Sequence, residues 1–193
     1  MAEAPWYAPF AAWWAEAEAH EPRVPDAMQI ATVDADGSPS LRTVLLKEHG
    51  PDGLVFYTHT TSRKGRALAA DSRLAACLHW KSLERQVLAE GRVVPVTATQ
   101  ADAYWATRPR GSQLGAWASP QSEEIADRQV LLDGVDAAAR RFDGQEVPRP
   151  AGWSGFRLVP ERVELWQGHA DRLHERRCWL REDGVWRQVL LAP

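Results

Sequence analysis

The chain has 193 residues, of which 45% are hydrophobic and 25% charged, a composition typical of a folded globular protein. Its formal net charge is −3, so it has no overall positive field of the kind that draws proteins to nucleic acid or anionic membranes. No segment approaches the ~20 consecutive apolar residues that a membrane-spanning helix needs. The first residues also lack the cationic and apolar regions of a secretory signal. We therefore expect a cytoplasmic protein, with residues 1–193 forming one domain.

The two cysteines, Cys77 and Cys178, lie far apart in the sequence, and neither belongs to a pair with metal-ligand spacing. In a cytoplasmic protein such thiols are expected to stay reduced. The sequence therefore predicts neither a disulfide nor a metal site.

The first half of the chain predicts a helix followed by a series of strands. Apolar residues at helical spacing predict an amphipathic helix from Pro5 to Glu18, within an N-terminal segment of residues 1–22. A short helix is expected over residues 62–71, where Thr61 and Ser62 offer N-cap side chains. Apolar runs bounded by turn residues predict strands. These are residues 27–49, folded as a hairpin at Asp36 and Gly37, then 53–59, 74–80 and 85–96.

The second half predicts two helices followed by three strands. The first helix runs from about Thr99 to Thr107, with Thr99 and Asp102 at capping-box spacing and Pro109 beyond its end. The second covers residues 122–142. The strands, residues 152–168, 172–182 and 185–193, belong to a C-terminal segment of residues 150–193. Strands joined as hairpins, with helices inserted between them, predict an α+β, mainly β fold: an antiparallel barrel or sheet with peripheral helices.

Cations at both ends of an apolar run raise the question of an anionic ligand. Arg42 and Lys47 flank Val44, Leu45 and Leu46. In a regular strand, residues five apart project from opposite faces and lie about 16 Å from each other. The two cations could therefore engage one long ligand or two ligands, but could not grip one small anion. The alternative is that each reaches solvent at a strand end.

Two further clusters combine cations with hydroxyl groups. Arg63 and Lys64 open the predicted short helix behind Thr61 and Ser62, an arrangement that suits a phosphate group. In the other cluster, Tyr104 and Arg108 share one helical face, and Ser112 follows in a predicted loop; together they would suit a phosphate monoester. The alternatives are a capped surface helix with solvated charges and a helix C-terminus stabilised by an arginine.

The last cluster is Arg172, His174 and Arg176, which alternate and would share one face of a strand. Three potentially cationic groups on one face repel each other, so we favour a ligand site over a solvated face. The sequence contains no nucleophile-elbow motif, and its carboxylate pairs are better explained as charged helix faces. A bound organic cofactor would supply the missing chemistry.

From about Ala27 to Pro193, these motifs in their order resemble the FMN-dependent pyridoxamine 5'-phosphate oxidase family. No single motif is specific, but the ordered set is. The matching segments are RTVLLK, VFYTHTTSRKG, LERQVLAEG, YWATRPRGSQLGAW, SPQS, WSGFRLVPERVELWQG, RLHERR and the terminal LLAP. One departure is Val24, where the resemblance leads us to expect an acidic residue before Pro25, although Asp26 is close by.

The resemblance implies a split β-barrel and a homodimer with FMN bound between the subunits. It implies that pyridoxamine or pyridoxine 5'-phosphate is oxidised to pyridoxal 5'-phosphate by O2, giving H2O2, with ammonia released from the amine. Arg172 and His174 would be the catalytic residues at the substrate ring. The substrate phosphate would bind to Lys47, Tyr104, Arg108 and Ser112. The residues implied to bind FMN are Arg42, Thr43, Val44, Leu45, Leu46, Lys47, Tyr57, Thr58, Arg63, Lys64, Gln86, Gln121, Ser122, Trp166 and Arg176.

Two other functions stay open at this point. A phenazine-biosynthesis type of FMN oxidase would share the fold and the flavin site but not the vitamin B6 substrate. A non-catalytic split-barrel protein would bind flavin or another cofactor without needing a set of residues for a substrate phosphate.

Overall fold

One curled antiparallel sheet organises the computed structural model, which describes residues 4–193. The first three residues of the predicted N-terminal segment lie outside the described residues. The strands are β1 (Ala27–Val33), β2 (Pro39–Leu45), β3 (Glu48–Gly50), β4 (Gly53–His59), β5 (Arg73–Trp80), β6 (Arg85–Pro95), β7 (Trp153–Gln167), β8 (Glu175–Glu182) and β9 (Val185–Leu190). Their order is β2-β1-β5-β6-β7-β4-β3, with β8 and β9 added beside β7.

Strand β7 is the branch point of the sheet. It pairs with β6 along one edge, while its other edge pairs first with β4 and then with β8. The N-terminal part of β7 therefore belongs to the barrel wall, and its C-terminal part carries the β8–β9 hairpin away from it. This arrangement confirms the predicted α+β split barrel.

Five helices pack around the sheet in residues 4–193: α1 (Tyr7–His20), α2 (Arg63–Ala70), α3 (Ala98–Thr107), α4 (Arg110–Ala118) and α5 (Arg128–Arg141). The main core joins α1 to the inner face of the sheet, where Phe10, Ile30 and Leu158 are fully buried. A second core around Trp105 and Trp153 joins α3, α4 and α5 to β7. None of the described helices is long and apolar enough to cross a lipid bilayer.

Several predicted boundaries are wrong. Helix α3 is capped by Thr97 in a capping box with Gln100, rather than by Thr99 with Asp102. Helix α5 begins after Asp127, whose carboxylate accepts hydrogen bonds from two backbone N–H groups, so it is shorter than predicted. Strand β3 was not predicted, because three residues are too few to show a pattern. Cys77 and Cys178 are free thiols, as predicted.

Two corrections concern predicted site residues. Ser112 lies in the first turn of α4, not in a loop, because Pro109 acts as the N-cap and accepts a hydrogen bond from the Ser112 N–H. Arg172 and His174 precede β8 and do not share a strand face with Arg176. The backbone at Asp171 and Arg172 is left-handed, with φ of 56° and 61°, so an extended strand cannot pass through these residues.

Candidate active site

A cavity of about 410 Å³, within the range of small-molecule sites, lies where β2 and β4 meet the starts of α2 and α4. We call it the cationic cavity, after Lys47, Lys64 and Arg108 in its wall. It brings together eleven of the predicted site residues: Thr43, Val44, Leu45, Lys47, Tyr57, Thr58, Lys64, Tyr104, Arg108, Ser112 and Gln121. Residues from distant parts of the sequence thus line one cavity.

Lys64 is a buried cation held only by neutral oxygens. Its Nζ donates to Thr58 Oγ1 at 3.1 Å and to Gln121 Oε1 at 2.9 Å. Helix α2 fixes its position, since Ser62 caps the helix by accepting from the Gly65 N–H. Burial, followed by the charge of Arg42, lowers the pKa of Lys64 to about 8. A buried ammonium without a carboxylate is costly, so this position favours an anionic ligand.

Arg108 is a second cation without a carboxylate partner, and its side chain is half-buried in the cavity wall. Its guanidinium lies over the rings of Trp153 and Trp105, at 4.7 and 5.1 Å from their centroids. The Nη1 group is buried and has no hydrogen-bond partner within residues 4–193. Burial lowers the pKa of Arg108, although an arginine stays protonated at any physiological pH. An unsatisfied, charged donor in a cavity wall indicates an anion site.

Three aromatic rings form a stack beside Arg108. The ring centroid of Tyr57 lies 4.1 Å from that of Tyr104, with an angle of 14° between the ring planes. It lies 5.5 Å from the centroid of Trp153, with an angle of 5°. The Tyr57 hydroxyl donates to Glu48 Oε1 at 2.5 Å. Burial, followed by this hydrogen bond, raises the pKa of Tyr57, so the phenol stays neutral. The stack gives the cavity a flat, rigid wall.

Lys47 differs from the other cavity cations because it has an acidic partner. Its Nζ lies 2.6 Å from Asp26 Oδ2, and both side chains are partly exposed. Asp26 immediately precedes β1, so the acidic group near Pro25 is supplied by this residue rather than by Val24. Leu46, a predicted flavin contact, has its side chain in the main core instead.

A second cavity of about 380 Å³ is lined by three more predicted residues, Arg42, Arg63 and Ser122, and shares Lys64 with the cationic cavity. Arg42 donates to Thr32 Oγ1 at 2.8 Å and also to Ser40. Arg63 is largely exposed and pairs with Asp34 at 2.5 Å. Lys64 therefore lies between two polar cavities, which together could hold an extended ligand.

The remaining predicted residues lie elsewhere in the chain, on the β7–β8 branch of the sheet. Gln86, Trp166 and Arg176 are direct neighbours across β6, β7 and β8. The ring centroids of Trp166 and His174 are 4.6 Å apart, and both residues line a cavity of about 550 Å³. Arg172 is exposed nearby. We call the set of five residues Gln86, Trp166, Arg172, His174 and Arg176 the hairpin cluster. Its members Trp166 and His174 line a cavity that contains neither Lys64 nor Arg108.

Arg176 is held in place by a buried carboxylate. Its Nε donates to Glu164 Oε1 at 2.7 Å, and Glu164 also pairs with Arg162 at 2.5 Å. Burial alone would raise the pKa of Glu164, but hydrogen bonds from Arg176 and Arg162 outweigh it and lower the pKa. Glu164 is therefore ionised and fixes Arg176 against β7.

The cavities include residues that the motifs did not single out. His59 and Trp153 line the cationic cavity, and His79 and Lys81 line the cavity of Trp166. Burial, followed by the charges of Lys64 and Arg108, lowers the pKa of His59, so this ring is neutral at pH 7. Its position next to Thr58 in the sequence was the only signal. Trp153 could not be told apart from nine other tryptophans.

Comparisons with known proteins agree with this geometry. Residues 16–141 match the family model described as pyridoxamine 5'-phosphate oxidase. Residues 153–193 match the model described as pyridoxine 5'-phosphate oxidase C-terminal dimerisation region. Pyridoxine/pyridoxamine 5'-phosphate oxidase from Novosphingobium aromaticivorans is 52% identical over 185 residues, covering 95% of this chain and 91% of that protein. The protein of the same name from Bradyrhizobium sp. (strain ORS 278) is 48% identical over 189 residues, covering 97% and 88%.

Solved structures share the fold. PhzG from Burkholderia lata 383, crystallised with tetrahydrophenazine-1-carboxylic acid, has a TM-score of 0.91 and 32% identity, covering 97% of this chain and 92% of that one. A pyridoxamine 5'-phosphate oxidase-related, FMN-binding protein from Nostoc punctiforme PCC 73102 has a TM-score of 0.79 at 18% identity, with full coverage of both chains; at that identity the likeness concerns the fold alone. The two family matches and the identity to full-length relatives show that this chain belongs to the pyridoxamine 5'-phosphate oxidase family.

Proposed function

We propose that this chain is an FMN-dependent oxidase that converts pyridoxine 5'-phosphate or pyridoxamine 5'-phosphate to pyridoxal 5'-phosphate. The alcohol substrate loses two hydrogens, which reduce O2 to H2O2. The amine substrate also consumes water and releases ammonia. The observation that carries the proposal is a pair of cations without carboxylate partners in the wall of one cavity: the buried Lys64 and the half-buried Arg108, whose Nη1 group is buried and unsatisfied. Two separate cationic positions suit two phosphate groups, one on the cofactor and one on the substrate.

The residues present fit FMN. Lys64 joins two polar cavities, and Arg42, Arg63 and Ser122 surround the second of them. The capped start of α2 adds a positive helix end beside Lys64. We assign the phosphate end of FMN to Arg63 and Lys64, and the flavin contacts to Tyr57, Thr58, Gln121 and the backbone of the segment from Arg42 to Lys47. When bound, FMN supplies the hydride acceptor that no side chain can provide.

The substrate phosphate is assigned to the opposite side of the cationic cavity. Lys47, Tyr104, Arg108 and Ser112 all line it, and they offer two cations and two hydroxyls. Helix α4 supports this assignment, because it places Ser112 in a first turn whose backbone N–H groups add positive potential. Gripping the phosphate fixes the substrate ring in orientation, and such positioning supplies much of an enzyme's rate.

The catalytic roles fall to Arg172 and His174. We assign them to the exocyclic carbon of the substrate, where His174 would hold or move the proton of the hydroxyl or amine and Arg172 would favour the developing charge. His174 Nδ1 accepts from the His169 N–H at 3.2 Å, which leaves Nε2 available. Both residues lie outside the cationic cavity of their own subunit, so this assignment requires them to reach the site of a second subunit.

A homodimer with FMN between its subunits meets that requirement. The match of residues 153–193 to a dimerisation region supports it, since the hairpin cluster lies mostly within those residues. Strand β2 also presents Leu41 and Leu45 to solvent, at 70% and 39% exposure, next to the residues assigned to the flavin. Exposed apolar residues grouped on one strand are typical of an interface.

The phenazine-type oxidase is the nearest alternative, and the likeness to PhzG shows that the fold does not exclude it. Two observations favour the vitamin B6 substrate. The curated relatives named pyridoxine/pyridoxamine 5'-phosphate oxidase share about half of their residues with this chain. The four residues assigned to a substrate phosphate also lie together in one cavity, which neither a phosphate-free substrate nor a non-catalytic protein would require.

Anaerobic mixing tests the proposal. FMN-loaded protein is mixed without oxygen with pyridoxine 5'-phosphate, and in a parallel experiment with pyridoxamine 5'-phosphate, while the flavin absorbance is followed. We expect the absorbance to bleach and to return in air, with pyridoxal 5'-phosphate as product. Flavin that binds but bleaches with neither compound would overturn the proposal in favour of the phenazine-type or the binding-only function.

A further inference from the structure

The side chain of Arg108 is positioned by aromatic rings rather than by hydrogen bonds. Within residues 4–193 its guanidinium makes neither an ion pair nor a hydrogen bond, and its nearest partners are the faces of Trp153 and Trp105. Arginine carries five N–H donors and usually satisfies them with oxygens. Here the two rings hold the guanidinium by its Cζ, at 5.1 and 4.7 Å from their centroids, and its donors remain free for a ligand.

Of the two rings, Trp153 is the one that lines the cavity. It opens β7, is 4% exposed, and pairs in register with His59 of β4. Its ring lies nearly parallel to Tyr57 and Tyr104, and packs edge-on against Trp105 at 4.9 Å and 70°. Trp153 therefore contacts both Arg108 and Tyr104, two of the residues assigned to the substrate phosphate.

This packing explains how a half-buried cation without a carboxylate partner is held in place before its ligand binds. An indole face attracts a guanidinium, most strongly when both are desolvated. A carboxylate would hold Arg108 equally well but would neutralise it and compete with the phosphate. A ring holds the charge in place without cancelling it.

We propose that Trp153 is a positioning residue for the substrate phosphate, holding Arg108 and Tyr104 in the geometry that selects phosphorylated over unphosphorylated substrate. The inference rests on the proposed function and extends it to a residue that acts through Arg108 and Tyr104 rather than on the reacting atoms themselves. It assigns Trp153 to ligand recognition, whereas its burial alone would suggest a core residue.

A double-mutant cycle tests this coupling. Trp153→Leu, Arg108→Lys and the double variant are compared with the wild type for kcat and KM with pyridoxine 5'-phosphate, and for the Kd of FMN. We expect Trp153→Leu to raise KM roughly tenfold, the scale of a desolvated cation–π contact, with much smaller changes in kcat and FMN binding. Because Arg108→Lys removes the same stacked guanidinium, the double variant should be little worse than the poorer single variant.

The control is Trp179→Leu, which removes a tryptophan of equal burial from the main core on β8. It should lower stability without raising KM, and its combination with Arg108→Lys should be additive. Trp153→Phe keeps a flat ring, so its KM should lie much closer to the wild-type value than that of Trp153→Leu. If the leucine variant does not fold, the phenylalanine variant takes its place in the cycle, with an expected rise of roughly threefold, since phenylalanine is the weaker cation–π partner.

Additive effects in the cycle, or an unchanged KM in the folded Trp153 variant, would overturn the inference while leaving the proposed function intact. Two further results distinguish failure of the inference from failure of the proposed function: the oxidation of substrate by the wild type, and the binding of inorganic phosphate to the FMN-loaded protein. A wild type that oxidises neither substrate removes the proposed function. Phosphate binding that is as strong in the Trp153 variant as in the wild type removes the inference, whatever the substrate.

Discussion

At the scale of single residues, the cations of the site differ in whether they are already neutralised. Lys47 and Arg63 have acidic partners in Asp26 and Asp34, whereas Lys64 and Arg108 have only neutral contacts. The first pair are surface or half-buried ion pairs of small energetic weight. Lys64 is a buried charge and Arg108 a half-buried one with an unsatisfied Nη1 group, and a phosphate would relieve the cost of both. We therefore expect Lys64 and Arg108 to contribute most of the affinity for anions.

The lowered pKa of Lys64 predicts a pH dependence of FMN binding. In the folded apoprotein Lys64 loses its proton near pH 8, while in the unfolded chain it keeps it to about 10.5. The unfolded state thus binds more protons between these values, and this group makes the apoprotein more stable as the pH rises. FMN binding favours the charged form, so above pH 8 the Kd should rise by up to about tenfold per pH unit.

Titration of the apoprotein with FMN from pH 7 to 9.5 measures this effect. Lys64→Arg is the matched control, because arginine keeps its charge over the whole range and its Kd should change little. If the Kd of FMN rises with pH equally steeply in the wild type and in Lys64→Arg, another group controls the pH dependence.

Replacing Arg172 by alanine should separate chemistry from cofactor binding. We expect turnover to fall by about a hundredfold or more, the usual scale for a lost acid–base or charge-stabilising group, while the Kd of FMN stays near the wild-type value. Steady-state kinetics and a flavin titration give the two quantities. Arg181→Ala, an exposed arginine on β8, is the control and should change neither. Lost FMN binding with normal turnover per bound flavin would refute the catalytic role.

The sequence singled out the cations of the cavity but not the residues around them. Lys64 belongs to a cluster of cations and hydroxyls at a predicted helix start, and Arg108 shares a helical face with Tyr104. His59 and Trp153 carry no such signal, since a histidine or tryptophan at a strand end is usually packing. Their roles depend on contacts between β4 and β7, which only the fold brings about.

At the scale of elements, two short segments control where site residues point. Helix α4 was not predicted because Pro109 and Gly111 suggest a break, yet proline suits the start of a helix. Conversely, alternating residues predicted a strand through Arg172 and His174, but left-handed backbone at Asp171 and Arg172 ends it. Local backbone geometry of this kind is set by tertiary contacts, so sequence periodicity could not reveal it.

Helix α2 packs closely against the loop before it, and Gly65 makes that possible. A Cβ at this position would lie 2.2 Å from the Thr60 carbonyl oxygen. Gly65→Ala should therefore lower the free energy of unfolding by about 1–3 kcal/mol or more, as overpacking does, and should weaken FMN binding by displacing Lys64. Gly111→Ala in α4 is the control, because nothing lies within 4 Å of its Cβ. Urea unfolding measures both free energies, and equal values for Gly65→Ala and Gly111→Ala would contradict the close packing at Gly65.

The β7–β8 branch depends on Glu164, which is 1% exposed between Arg162 and Arg176. Glu164→Gln leaves two guanidiniums without their shared carboxylate, and breaking a buried ion pair costs about 3–5 kcal/mol. Denaturant unfolding at fixed protein concentration measures the loss. The control, Glu182→Gln, removes an exposed partner of Arg187 and should have a much smaller effect. Equal losses would mean that Glu164 does not organise this branch.

At the scale of the whole molecule, the residues that we assign to the site fall into two separate groups within the chain. The chain matches its relatives along its length, and the α+β barrel was predictable from the order of strands and helices. Sequence order alone gave no sign that Trp166 and His174 of the hairpin cluster would line a different cavity from Lys64 and Arg108. That separation follows from the branching of β7, which carries β8 away from the barrel wall.

In the homodimer that we propose, two subunits complete each active site, and mixing two inactive variants tests this sharing. Arg108→Ala damages the cationic cavity, and Arg172→Ala damages the hairpin cluster. Each homodimer should be nearly inactive, but a mixed dimer regains one intact site when its undamaged halves meet. After unfolding and refolding together, random pairing should restore about a quarter of wild-type activity, since half of the dimers are mixed and each has one of two sites intact. Activity no higher than that of the separate variants, in a sample where mixed dimers are shown to form, would contradict the shared site.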